Sequence, residues 1–217
     1  MIEIVKSAVQ RGASDLHIKA GDFFRARVHG ELQPLTKQRL TPEQTRQIAM
    51  QLIPNQRDRD RIDEITDYDC SWAAPGVGRF RVNILKQRGT FMIVMRAIPL
   101  DIPSLDEMGL PQVLKRISME ERGMVLVTGI TGSGKSTTLA AMLNHINLSR
   151  QRHILTLEDP IEFMHTDKVS AVTQREVGGD TKSFSVGLRA ALREDPDVIL
   201  VGEMRDTETI DIALKAA

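Results

Sequence analysis

Hydrophobic positions follow two different rhythms along the chain, and the change between them falls at a proline-bearing stretch. Near the start, Ile4, Val5, Ala8 and Val9 share one face of a short amphipathic helix. Residues 15–19 and 25–28 alternate polar and apolar side chains as strands do, and His29-Gly30-Glu31 supplies a turn after them. Thr41-Pro42-Glu43-Gln44 reads as a helix start: Thr as the cap, Pro at the first helical position and Gln at the third. Further strands are predicted at 68–72, 79–85 and 91–96, with Pro75-Gly76-Val77-Gly78 turning between the first two. A small sheet with flanking helices, an α+β domain, is the expectation for this half.

Pro99-Leu100-Asp101-Ile102-Pro103 carries two prolines that break helix and central strand alike, so it reads as a linker. Beyond it the rhythm becomes α/β. Strands at 124–128, 153–157 and 198–201 alternate with helices at 136–148, at 184–194 and from 206 onward. Near-continuous apolar strands between helices predict a mostly parallel sheet covered on both faces.

One junction in this second half carries chemistry. Gly129-Ile130-Thr131-Gly132-Ser133-Gly134-Lys135-Ser136 lies between a predicted strand and a predicted helix, and it is a complete Walker A loop. Glycines at such a junction let several backbone N–H groups aim at one point, which lies at the positive end of the helix dipole. A polyphosphate fits there. Gly129, Thr131, Gly132, Ser133, Gly134, Lys135, Ser136 and Thr137 are the candidate binding residues for ATP, with Lys135 on the β- and γ-phosphates and Ser136 on Mg²⁺.

Hydrolysis needs more than binding, because carboxylates must hold the metal and orient a water. Two acidic clusters follow predicted strands: Glu158-Asp159-Pro160-Ile161-Glu162 after residues 153–157, and Glu203 after Val198-Ile199-Leu200-Val201-Gly202. In parallel α/β sheets ligands bind beyond the carboxyl ends of the strands, so both clusters are expected on the rim that carries the loop. Alone, each acid would read as a helix cap or a surface charge.

Composition narrows the class. The 217 residues carry equal numbers of acidic and basic side chains, which disfavours a nucleic-acid motor, and the run Arg57-Asp58-Arg59-Asp60-Arg61 alternates in sign like a solvated helix face. No apolar run reaches membrane-spanning length, and the first residues lack the features of a signal peptide. Cys70 is the single cysteine, so neither a disulfide framework nor a Cys-based zinc site is expected. Together these favour a cytoplasmic protein. The five histidines show no metal-ligand spacing.

The motifs resemble, in long gap-free strings, those of the secretion/type IV pilus ATPase superfamily, and within it the PilT-type retraction motors. The strings are residues 129–136, residues 154–163 (the family's Asp box) and residues 192–206 (Walker B with its lead-in). Ala13-Ser14-Asp15-Leu16-His17 and Gly78-Arg79-Phe80-Arg81-Val82-Asn83 are similar to the PAS-like N-terminal domain of these motors, so the resemblance covers nearly the whole chain.

That resemblance implies a PAS-like α+β domain at 1–98, a hinge linker at 99–104 and a RecA-like P-loop NTPase domain at 105–217. It implies a mechanochemical ATPase in which Glu203 completes the Mg²⁺ shell through water or poises the nucleophile. Glu162, in preference to Glu158, activates the attacking water, and Arg79, Arg81 and Arg96 offer positive charge to the phosphates. A homohexamer is implied, peripheral at the cytoplasmic side of an inner-membrane pilus base. Its partners would be a pilus platform protein and a paralogous motor, with no nucleic acid and no membrane insertion. Assembly motors, type II secretion motors and non-catalytic regulatory paralogues are the alternatives. Ile130 stands where many relatives have Pro, and Asp22-Phe23-Phe24 replaces a Pro-rich turn. The family's His box would follow Ala217, so the resemblance implies a RecA-like domain incomplete at its C-terminus.

Overall fold

The computed structural model describes residues 1–99 and 101–217; Leu100, inside the predicted linker, lies outside the described residues. Contacts divide the chain into two compact units, Met1–Ile98 and Pro99–Ala217.

The first unit is built on an antiparallel sheet. Its strands are β1 (Ala13–Lys19), β2 (Arg25–Val28), β3 (Glu31–Pro34), β4 (Asp67–Ala74), β5 (Gly78–Gln87) and β6 (Thr90–Ala97), in the spatial order β3-β2-β1-β6-β5-β4. Alternation decides which face is buried. Leu16, Ile18, Phe80, Val82, Ile84, Ile93 and Met95 point to one side and are almost completely buried. That side is covered by α1 (Ile2–Gln10), through Val5 and Ala8, and by α2 (Pro42–Leu52), through Ala49 and Leu52. The predicted capping box is present: Gln44 N–H donates to Thr41 Oγ1 at 3.2 Å, and Thr41 N–H donates to Gln44 Oε1 at 2.9 Å. The charge run at 57–61 falls mostly in α3 (Gln56–Asp60), a short helix with no buried residue. β3, which follows the predicted turn at 29–31, was not predicted: it is exposed at every position, so it offers no apolar alternation to read.

The second unit holds a parallel three-stranded sheet of β7 (His153–Glu158), β8 (Ala171–Glu176) and β9 (Val198–Val201), ordered β8-β7-β9. Central β7 is buried from Ile154 to Glu158. Leu155 and Leu157 face α6 (Phe184–Ala191) and α7 (Thr207–Ala216) through Leu188, Ala191, Ile212 and Ala213. Ile154 faces the other way, onto Leu143 and Ile146 of α5 (Lys135–Ser149). Both faces are thus covered, as the apolar strands predicted. α4 (Val113–Ser118) packs on α5.

Two expectations are corrected. Residues 124–128 form no strand: they pair with no ladder among the described residues, and Val125 and Leu126 are exposed. A strand needs a hydrogen-bonded neighbour, and this segment stands across a cavity of about 710 Å³ from β9. The apolar run was legible; its missing partner was not. The helix predicted at 184–194 ends at Ala191. β8 was missed because Thr173-Gln174-Arg175-Glu176 is polar, its stability coming from its ladder with β7. Among the described residues no helix is long and apolar enough to cross a membrane.

Candidate active site

The loop that opens α5 needs its glycines. Gly129, Gly132 and Gly134 have φ of 154°, 78° and 89°, all in the region that favours glycine. A side chain on Gly129 would also meet Ser133 Oγ at 2.7 Å. Gly134 is the N-cap of α5, in left-handed conformation, and no side chain caps the helix. The first-turn N–H groups of an uncapped helix await an acceptor, and the helix dipole makes an anion the favoured one. Lys135 folds back over the loop, with Nζ donating to the Ile130 carbonyl at 2.8 Å, while the Ile130 side chain points to solvent. Position 130 thus contributes backbone, whatever its side chain. Thr131, Ser133 and Ser136 are exposed in the loop, and Thr137 is half-buried.

At the carboxyl end of β7, within the Asp box, the chain turns at Asp159-Pro160. Glu158 is buried, and its carboxylate accepts three hydrogen bonds: from Thr156 Oγ1 at 2.7 Å, Gln174 Nε2 at 3.1 Å and Glu162 N–H at 3.3 Å. Burial pushes the Glu158 carboxyl above its ordinary value, against the pull of those donors. Glu162 is exposed, so its carboxylate is open to a water that Glu158 is not.

Two residues that sequence reasoning missed hold this turn in place. Gln174 of β8 donates to the Phe163 carbonyl at 2.9 Å and accepts from His165 N–H at 2.8 Å, besides its bond to Glu158. Glu176 accepts from Ile161 N–H at 3.1 Å. The available signal was a pair of side chains two apart on one strand, pointing to one face. It was hidden because β8 itself went unread.

Glu203 lies one residue past Gly202, at the end of β9. Gly202 N–H donates to the Leu157 carbonyl at 2.8 Å, which brings the ends of β9 and β7 together. A Cβ on Gly202 would stand 3.1 Å from that carbonyl and 3.4 Å from Glu158 Cα. The Glu203 carboxylate pairs with Arg205 at 2.8 Å. Thr128, just before the phosphate loop, and Glu203 line the same cavity. Glu158, Glu162 and Glu203 therefore gather at the carboxyl edge of one parallel sheet. Arg79, Arg81 and Arg96 belong to the other unit, on β5 and β6, on the sheet face turned away from its core.

The family described as Type II/IV secretion system protein matches residues 1–217. The chain belongs to that family. Among its relatives, the type IV pilus retraction ATPase PilT of Pseudomonas aeruginosa is 48% identical over 215 residues, covering 99% of this chain and 62% of that protein. The type IV pilus ATPase PilU of the same organism is 43% identical over 217 residues, covering 99% of this chain and 56% of its own. A crystal structure of the pilus retraction motor PilT with bound ADP superposes with a TM-score of 0.90 at 48% identity, over 100% of this chain and 63% of that one. The chain spans about three fifths of the length of these two curated relatives.

Proposed function

We propose that this chain carries the nucleotide-binding and catalytic portion of a hexameric ATPase that powers pilus retraction. The observation that carries the reading is the uncapped, glycine-built N-terminus of α5 in one unit with three carboxylates at the sheet's carboxyl edge. The relatives named as pilus ATPases, one seen with ADP, support it. Residues 1–98 act as a PAS-like domain, 99–104 as a hinge and 105–217 as a RecA-like domain.

Gly129, Thr131, Gly132, Ser133, Gly134 and Thr137 cradle the polyphosphate through backbone and hydroxyl groups, and Lys135 leaves the Ile130 carbonyl for the phosphates. Glu162 orients the attacking water, and the buried Glu158 holds the turn that aims it. Arg79, Arg81 and Arg96 supply positive charge to the phosphates in the assembled motor; an arginine in that role is worth about 10³–10⁵ in rate. Ser136 and Glu203 are accessible oxygen donors of the kind a hard cation takes, so they fit Mg²⁺, Glu203 through water. When bound, Mg²⁺ neutralises charge on the phosphates. The motor works in the cytoplasm at the inner-membrane base of the pilus, against a platform protein and beside a paralogous motor.

The test is Mg²⁺-dependent ATP turnover by the full-length protein beside its Glu203→Gln variant, with nucleotide binding measured for both. Turnover lost in the variant with binding kept supports the reading. Binding without turnover in the parent protein would overturn it in favour of a regulatory nucleotide-binding paralogue.

A further inference from the structure

We propose that Asp15 is a positioning residue for nucleotide turnover, holding Arg96 by its inner nitrogen so that the outer edge of the guanidinium faces an anionic phosphate. The inference rests on the reading that Arg96 meets the nucleotide.

Strand register puts the parts in a row. Arg27 of β2 lies opposite Asp15 of β1, Asp15 opposite Arg96 of β6, and Arg96 opposite Arg81 of β5. Directly paired residues share a face, so three arginines and one aspartate form a straight ladder across four strands. It is the face away from the core, since Leu16 and Ile18 of β1 point the other way. Asp15 is nevertheless buried, at 7% exposure, lying between arginines on both neighbouring strands. Its Oδ1 accepts from Arg96 Nε at 2.8 Å, and its Oδ2 accepts from Ser14 Oγ at 2.8 Å with Arg27 Nε at 3.9 Å. Although burial pushes the Asp15 carboxyl up, Arg96 and Ser14 outweigh it and keep the group below its ordinary value.

The contact is one-sided. Asp15 takes Nε, not the terminal pair that a fork-shaped carboxylate contact would use. Arg96 remains 71% exposed, and neither of its terminal nitrogens has a partner among the described residues. A single carboxylate covers one edge of a guanidinium, and Asp15 covers the inner one, so the outer edge stays open to a second acceptor. The opposed Arg81–Arg96 pair points the same way, because like charges directly opposite destabilise a ladder unless an anion lies between them. The pairing of β1 with β2 also shifts register between Ala13 and Asp15, leaving Ser14 as an extra residue whose hydroxyl locks the carboxylate. Bulges re-aim side chains in this way beside functional sites.

The experiment is a double-mutant cycle on ATP turnover by the full-length protein, with kcat, KM and melting temperature measured for Asp15→Asn, Arg96→Ala and the double variant. Arg96→Ala is expected to lower kcat by about 10²-fold or more. Asp15→Asn, near-isosteric, is expected to lower kcat roughly 10-fold with little change in KM, since a misplaced group loses rate more than binding. In the Arg96→Ala background Asp15→Asn should do nothing more. Equal losses in both backgrounds, or wild-type kcat in Asp15→Asn beside an impaired Arg96→Ala, would overturn the role of Asp15 alone. Wild-type turnover in Arg96→Ala would overturn the underlying reading of Arg96, and the inference with it. If Asp15→Asn does not fold, the cycle is run with Ser14→Ala, which keeps the carboxylate; there a loss of about 3-fold that vanishes in the Arg96→Ala background is expected, and a loss that persists overturns the proposal.

Discussion

Gln174 donates to the buried Glu158 carboxylate across the parallel β7–β8 pair, at 3.1 Å, and so joins the Asp-box acid to a strand that carries no catalytic group of its own. The same carboxamide binds the Phe163 carbonyl and the His165 N–H, so one side chain fixes the turn at three points. Gln174→Leu keeps the approximate volume and removes all three bonds. Each polar group left buried without a partner costs about 1–3 kcal/mol. The expected outcome is a lower melting temperature, faster amide exchange confined to residues 161–165, and turnover reduced with nucleotide affinity kept. Hydrogen exchange and steady-state kinetics on the full-length protein check it.

Gly202 is where β9 meets the end of β7, and its constraint is contact. A methyl group there would lie 3.1 Å from the Leu157 carbonyl and 3.4 Å from Glu158 Cα. Both are backbone atoms of β7, which cannot yield as a flexible side chain would. Gly202→Ala is therefore expected to destabilise by about 1–3 kcal/mol, the range for overpacking. It should also shift Glu203 relative to Glu158 and depress kcat. Chemical denaturation beside turnover measures both effects.

His165 gives the second unit a predictable acid sensitivity. Burial first, then the nearby Lys168 charge, holds its imidazole down to about 4. The unfolded chain binds a proton near the ordinary histidine value while the folded chain does not, so stability rises with pH between those two values. The contribution is fully present above about 6.5 and is lost as pH falls through 4. His165→Gln removes the proton difference. Its melting temperature should fall less than the parent's between pH 6.5 and pH 4, read by thermal melts at fixed ionic strength.

How far the sequence reached depended on whether a signal was local. The capping box at Thr41, the alternation of β5 and β6 and the glycine spacing of the phosphate loop are all written within a few residues. Their physics acts over the same distance. β8 is different: its polar side chains gain order only from the ladder with β7 and from the Asp-box backbone they hold, which lie far off in sequence. The burial of Asp15 leaves no local signal, because the arginines that bury it arrive from strands 12 and 81 positions away. Residues 124–128 show the converse, a correct local apolar signal without the ladder partner that would make it a strand.

The two Asp-box glutamates should separate cleanly when each is changed. Glu158 accepts three hydrogen bonds in a buried setting, so it serves the fold of the turn. Glu162 offers its N–H to Glu158 but keeps its own carboxylate at the surface. Glu158→Ala takes the acceptor from Thr156 Oγ1 and the Glu162 N–H and one of Gln174's three bonds, and is expected to cost about 1–3 kcal/mol of stability, with turnover falling in step with the loosened turn. Glu162→Gln disturbs no buried bond, so its melting temperature should stay within about 0.5 kcal/mol of the parent's in equivalent stability. If Glu162 is the base, removing its charge should lower kcat by about 10²–10⁴-fold while nucleotide affinity is unchanged. Melting temperature and single-turnover hydrolysis, measured on the same two full-length variants, assign the roles. A stable Glu158→Ala that cannot turn over, beside an active Glu162→Gln, would exchange them.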